Sequence, residues 1–110
     1  MANVFKNSVT GSIGITNTRV YQTPISTVST VIGLNVSNVI SNNISVNVTI
    51  TDATATQTRY LVRNALIVEG SSMVVVGGLQ KVVLESGDFI SVVSSAAASA
   101  DVIVSVLEIS

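Results

Sequence analysis

The chain has 110 residues, of which 47% are apolar and only 10% charged, with a net charge of −1; a typical soluble domain carries roughly 25% charged residues. Val, Ile and Thr occur 21, 11 and 11 times, and so large a β-branched share excludes a helical protein. Cys, His and Trp are absent, which excludes disulfide scaffolds, Cys/His zinc sites, Ser-His and Cys-His nucleophile pairs and thiol redox chemistry.

One domain is expected at this length. Residues 1–14 are either a first strand or an arm lying on a partner surface, with Phe5 as its anchor, and residues 15–110 are expected to form the folded domain. Arg19–Thr23 reads as a short strand stopped by Pro24, the only proline. Ile32, Leu34 and Val36 alternate with Val31, Gly33 and Asn35 in the next strand. Ile44, Val46, Val48 and Ile50 then alternate with Ser45, Asn47 and Thr49, the pattern of a half-buried strand. The Asn/Ser-rich stretch 38–43 between these two strands predicts a hairpin. Ala53–Thr58 reads as a small polar loop or the start of a strand, and Arg59–Val62 as a strand. Met73–Val76 is a strand ending at Gly77-Gly78. Lys81–Leu84 and Asp88–Val93 flank Glu85-Ser86-Gly87, which predicts a second hairpin with Gly87 in the left-handed region. Ser94–Ala100 is a loop before the last strand, Asp101–Ile109. About eight short strands with turn signals every 8–14 residues define an all-β fold, an antiparallel β-sandwich or jelly-roll.

After residue 60 the strands are apolar on both faces. Either loops or the N-terminal segment cover the second face, or a neighbouring subunit does; the low charge favours a neighbour. Phe5, Val83, Ile90 and Val92 are the expected partner-interface residues, and a homo-oligomer, such as a trimer, is the expected state. Lys6, Arg19, Arg59, Arg63 and Lys81 are scattered, without the basic run that a nucleic-acid partner requires. The N-terminus has neither the basic nor the apolar region of a signal peptide. Mean hydropathy is +0.66, yet purely apolar runs such as Ala65–Val68 extend only four residues, against about 20 for a spanning helix, so no membrane partner is expected.

Carboxylates are the remaining catalytic candidates. Glu85 and Asp88 flank one turn, where an acid–base pair competes with a capping role, and capping explains them better. Asp52 stands alone among threonines, too few oxygen ligands for a calcium loop. Three Asn-x-Ser/Thr sequons follow from an Asn/Ser/Thr-rich β composition, and the threonine run 49–58 slips out of register before it forms a ladder. Tyr21, Tyr60, Phe5 and Phe89 are the whole aromatic supply for a sugar-binding surface. No catalytic residue, cofactor or metal is expected.

Tyr60-Leu61-Val62-Arg63-Asn64, the stretch Gly78–Val92 with its Leu84-Glu85-Ser86-Gly87-Asp88-Phe89-Ile90 core, and the ending Ala100–Ile109 resemble small virion structural proteins of tailed bacteriophages, cyanophages among them. Val20–Pro24 and Thr30–Val36 extend the resemblance over most of the chain. It implies a non-enzymatic β-sandwich that serves as a capsid cement or decoration protein. Its partner would be the major capsid protein, its location the capsid surface of a virion assembled in the host cytoplasm. The alternatives it leaves open are a neck, tail or baseplate component, or a glycan-binding adhesin module on the virion.

Overall fold

Alternating β-branched residues, interrupted by clusters of Gly, Pro, Asn and Ser, divide the chain into extended segments. A computed structural model describes residues 3–110; Met1 and Ala2 of the expected arm lie outside the described residues. The strands are β1 (Asn3–Ile13), β2 (Thr18–Gln22), β3 (Val28–Asn38), β4 (Ile44–Asp52), β5 (Gln57–Ile67), β6 (Ser72–Val76), β7 (Val82–Leu84), β8 (Phe89–Ser94) and β9 (Ala100–Ile109). One sheet has five strands in the order β1-β9-β3-β6, with β7 also on β3; the other has four, in the order β2-β8-β4-β5. The antiparallel pairs are nested, β4 with β5, β3 with β6 and β7, β2 with β8, and β1 with β9. A long ribbon of nested pairs wound into two facing sheets is the jelly-roll. The expected sandwich or jelly-roll is therefore what the chain forms.

The core lies between the sheets. Val31, Leu34 and Val36 of β3, Ile44, Val46 and Val48 of β4, Ile90 and Val92 of β8, and Val102, Val104 and Val106 of β9 are all buried. Each such side chain stabilises the fold by about 1.5–3 kcal/mol relative to an exposed position. The expected alternation holds along β4 but fails on β3. A register shift between Val31 and Gly33 turns Val31 inward and leaves Ile32 half-buried on the outside. One extra residue in a strand reverses the parity of everything beyond it.

Both expected hairpins are corrected. β3 belongs to the five-stranded sheet and β4 to the four-stranded one, so residues 39–43 form an arch that crosses the sandwich. The same holds for β7 and β8, joined through residues 85–88. Each arch is held by a buried side chain where a hairpin would rely on ladder bonds. Asn38 Nδ2 donates to the carbonyls of Asn42 (2.7 Å) and Ile67 (2.9 Å), and its Oδ1 accepts the Ile40 amide at 3.0 Å. Asp88 accepts the Glu85 amide at 2.9 Å through one oxygen and the Ala53 amide at 3.0 Å through the other, tying this arch to the β4–β5 turn. Gly87 does take the expected left-handed conformation, with φ +86°. The pair β4–β5, closed over residues 53–56, is the hairpin of consecutive strands.

Candidate functional site

The outer face of the five-stranded sheet carries a patterned set of exposed apolar residues; others, such as Ile25, Leu66 and Leu79, stand in loops or on β5. Cross-strand register places Phe5, Leu107, Thr30 and Val83 in one row across β1, β9, β3 and β7. A second row runs through Val9, Ile103, Asn35 and Val74. Between them lies a row of small side chains, Asn7, Ser105 and Gly33. Phe5 is 75% exposed, Val83 61%, and Val9 and Val74 each 68%. The result is two apolar ridges flanking a furrow, with hollows of about 290 Å³ beside Gly33, Val74 and Ile103 and about 250 Å³ beside Phe5, Asn7 and Ile32. No charged side chain belongs to these three rows. Lys6, between Phe5 and Asn7 on β1, borders the second hollow, and Asp101, one row beyond Ile103, accepts the Ser12 amide on its Oδ1 at 3.2 Å.

Of the four residues expected at a partner interface, the structure brings Phe5 and Val83 into one row. Ile90 and Val92 are corrected: both are fully buried in the core, and β8 turns Phe89 and Val93 outward instead. Because β8 is apolar on both faces, alternation could not say which face the partner sheet covers. Val9, Val74 and Ile103 went unrecognised as surface residues. Ile103 had a usable signal in sharing its face of β9 with Asp101 and Ser105, opposite Val102 and Val104.

The outer face of the four-stranded sheet differs in chemistry. Asn47, Thr49 and Thr51 of β4 face outward, and the Thr51 and Thr58 hydroxyls share a hydrogen bond of 2.8 Å. Arg19 lies 3.7 Å over the Phe89 ring and shields that aromatic from solvent.

The four sheet edges are also unequal. β1 pairs with β9 in unbroken register from Asn3 to Thr10, and among the described residues no strand lies on its other side. Edge strand β2 is short, and its Val20 carbonyl is already taken by the Ser8 hydroxyl at 2.7 Å. Edge strand β5 is interrupted by register shifts, with Asn64 at φ +52° and its amide bonded to Asn47 Oδ1. On the fourth edge β6 and β7 are short pieces split by the Gly77-Gly78 turn. Short strands and bulges are the usual means of blocking edge pairing, and β1 has neither before Thr10.

Beneath β1 lies a polar network inside the sandwich. A register shift in β2 between Arg19 and Tyr21 turns Tyr21 inward. Its hydroxyl donates to Glu108 Oε2 at 2.6 Å and lies 2.6 Å from Ser29 Oγ, while Lys6 Nζ sits 3.2 Å from Glu108 Oε1. Burial, reinforced by the hydrogen bond to Glu108, pushes the Tyr21 phenol up from 10.0 to about 12. At the same end of the strands, Asp52, Glu85 and Asp88 bring carboxylate oxygens within 4.8 Å of one another. Asp88 is committed to two backbone amides, and one Asp52 oxygen accepts the Thr54 and Ala55 amides, each at 3.0 Å. Asp52 and Asp88 thus act as turn caps, and Glu85 contributes its backbone amide.

No protein-family model and no curated protein matches the chain. A solved structure of Bacillus endospore appendages, described as a novel family of disulfide-linked pili, matches with a TM-score of 0.58 at 15% identity, over 96% of this chain and 86% of that one. At that identity the likeness establishes the fold. It is a likeness to a pilus protein, and it corrects the expectation of a phage capsid cement protein, with its virion location and its variants as a tail part or adhesin.

Proposed function

We propose that this chain is a self-assembling structural subunit, the repeating unit of a filament or coat on a cell or spore surface, with no catalytic role. The observation that carries the reading is the open edge of β1. Over the eight residues Asn3–Thr10, every second one presents its backbone N–H and C=O outward in regular register, while the other three edges are shortened, capped or bulged. An open edge beside an apolar sheet face is a template for a strand from a neighbouring copy. Pairing of β1 with a different edge of the next copy is a head-to-tail contact, and such contacts propagate into filaments unless the rotation closes a ring. The pilus likeness supports the same reading.

The appendages of the structural neighbour are disulfide-linked. These 110 residues hold no cysteine, so copies of this domain associate through edges and faces without a disulfide. The test is electron microscopy with sedimentation velocity across a concentration series, with and without a thiol reductant. Filaments or large rings that grow with concentration and ignore the reductant are expected. A protein that stays monomeric at the highest attainable concentration would overturn the reading.

A further inference from the structure

We propose that the outer face of the five-stranded sheet is the surface on which two copies of this chain pack sheet against sheet. The inference rests on the reading of the chain as self-assembling, and it concerns a contact distinct from pairing at the β1 edge.

Three features select a second copy as the occupant. The first is area. Four strands about 4.8 Å apart and a β9 of ten residues rising about 3.3 Å each make a face of roughly 19 by 33 Å. That is about 600 Å² per partner, the lower bound for a specific interface. The second is charge. The Phe5, Ser105 and Ile103 rows contain no charged side chain, and Lys6 at their border is paired with Glu108 at 3.2 Å, so the face offers no free charge by which a nucleic acid, an anionic membrane or a charged protein would be recognised. A face of apolar ridges around a furrow of small side chains is instead complementary to itself, each ridge meeting a partner's ridge or furrow with no ion left unpaired. The third is contrast. The other sheet intersperses its exposed Tyr60 and Leu66 with outward Asn47, Thr49 and Thr51, whereas on this face the exposed apolar residues line up in two cross-strand rows.

Two sheets packed in this way lie about 10 Å apart with their strands within about 30° of alignment. The central row, with Ser105 on β9, then falls on or beside any two-fold axis that lets the whole face be covered.

Because the chain lacks cysteine, single cysteines make clean reporters. Ser105→Cys, treated with a bismaleimide of about 8–10 Å span, matched to that sheet separation, is expected to give a covalent dimer. Thr49→Cys on the opposite face is expected to stay monomeric under the same treatment. The double variant Val74→Lys/Ile103→Lys, with wild-type circular dichroism, is expected to weaken dimer formation at least tenfold by sedimentation. Filaments without Ser105 cross-linking, or with undiminished assembly of the lysine variant, would overturn this interface and leave the filament reading intact. A cross-linked dimer from a protein that never forms larger assemblies would support the interface and overturn the filament. Equal cross-linking at Thr49 would show non-specific collision and overturn the interface.

Discussion

Single side chains decide which apolar residues hold the fold and which are left for partners. Ile90 and Val83 look alike in sequence, each beside another apolar residue in a short strand. Ile90 is fully buried and Val83 stands outside. Ile90→Ala is therefore expected to cost about 2–5 kcal/mol through the cavity it leaves, and Val83→Ala less than about 0.5 kcal/mol; denaturant midpoints of the two variants check this. Tyr21 carries a pH signature. Its phenol is held near 12 in the fold against 10.0 when free, so the folded state retains the proton more tightly. The stabilisation is complete below about pH 10 and is lost as the pH rises to about 12. The wild-type melting temperature is expected to fall through that interval, and Tyr21→Phe to lack this component of the fall. The same inclination in both variants would remove Tyr21 as its source.

Elements were legible where alternation is clean and misleading where it is not. β4 could be placed residue by residue because its outward positions are Ser, Asn and Thr. Gly87 announced its left-handed conformation because no other residue adopts it so readily. The connectors at 39–43 and 85–88 carry the ordinary composition of hairpin turns, yet each crosses between sheets. Composition reports that the chain turns, and only the distant partners of Asn38 and Asp88 decide where it goes. The Ile67 carbonyl that Asn38 reaches is 29 residues away, beyond the range of any local signal. Asn38→Ala removes three hydrogen bonds at a buried position and is expected to destabilise by about 2–3 kcal/mol. An unchanged thermal midpoint would mean that the arch closes without it.

At the scale of the molecule, the fold class followed from composition, since a chain so rich in Val, Ile and Thr and broken by regular turns can bury its apolar surface in two facing sheets. The scarcity of charge and the strands apolar on both faces also pointed to exposed apolar surface, and the outer face of the five-stranded sheet carries it. The exposed apolar face was only half legible: Phe5 and Val83 stand on it, whereas Ile90 and Val92 belong to the core, because parity along β8 depends on the facing sheet. The resemblance to virion proteins pointed to the wrong kind of particle. It rested on Tyr60–Asn64, Gly78–Val92, Ala100–Ile109, Val20–Pro24 and Thr30–Val36, and the likeness to a pilus protein overturns the capsid role it implied. What the structure adds is asymmetry. One sheet has apolar rows outside and is open along β1, and the other mixes polar and apolar residues outside and has blunted edges.

Hydrogen exchange of the β1 amides in dilute protein and in the assembled state tests the central claim most directly. The outward-pointing amides between Asn3 and Thr10 should exchange quickly in the monomer and become protected by at least a hundredfold on assembly, while protection of the core strand β9 stays unchanged. Assemblies in which the β1 edge exchanges as fast as in the monomer would contradict the account, because copies would then be joined without using the one edge the fold leaves open.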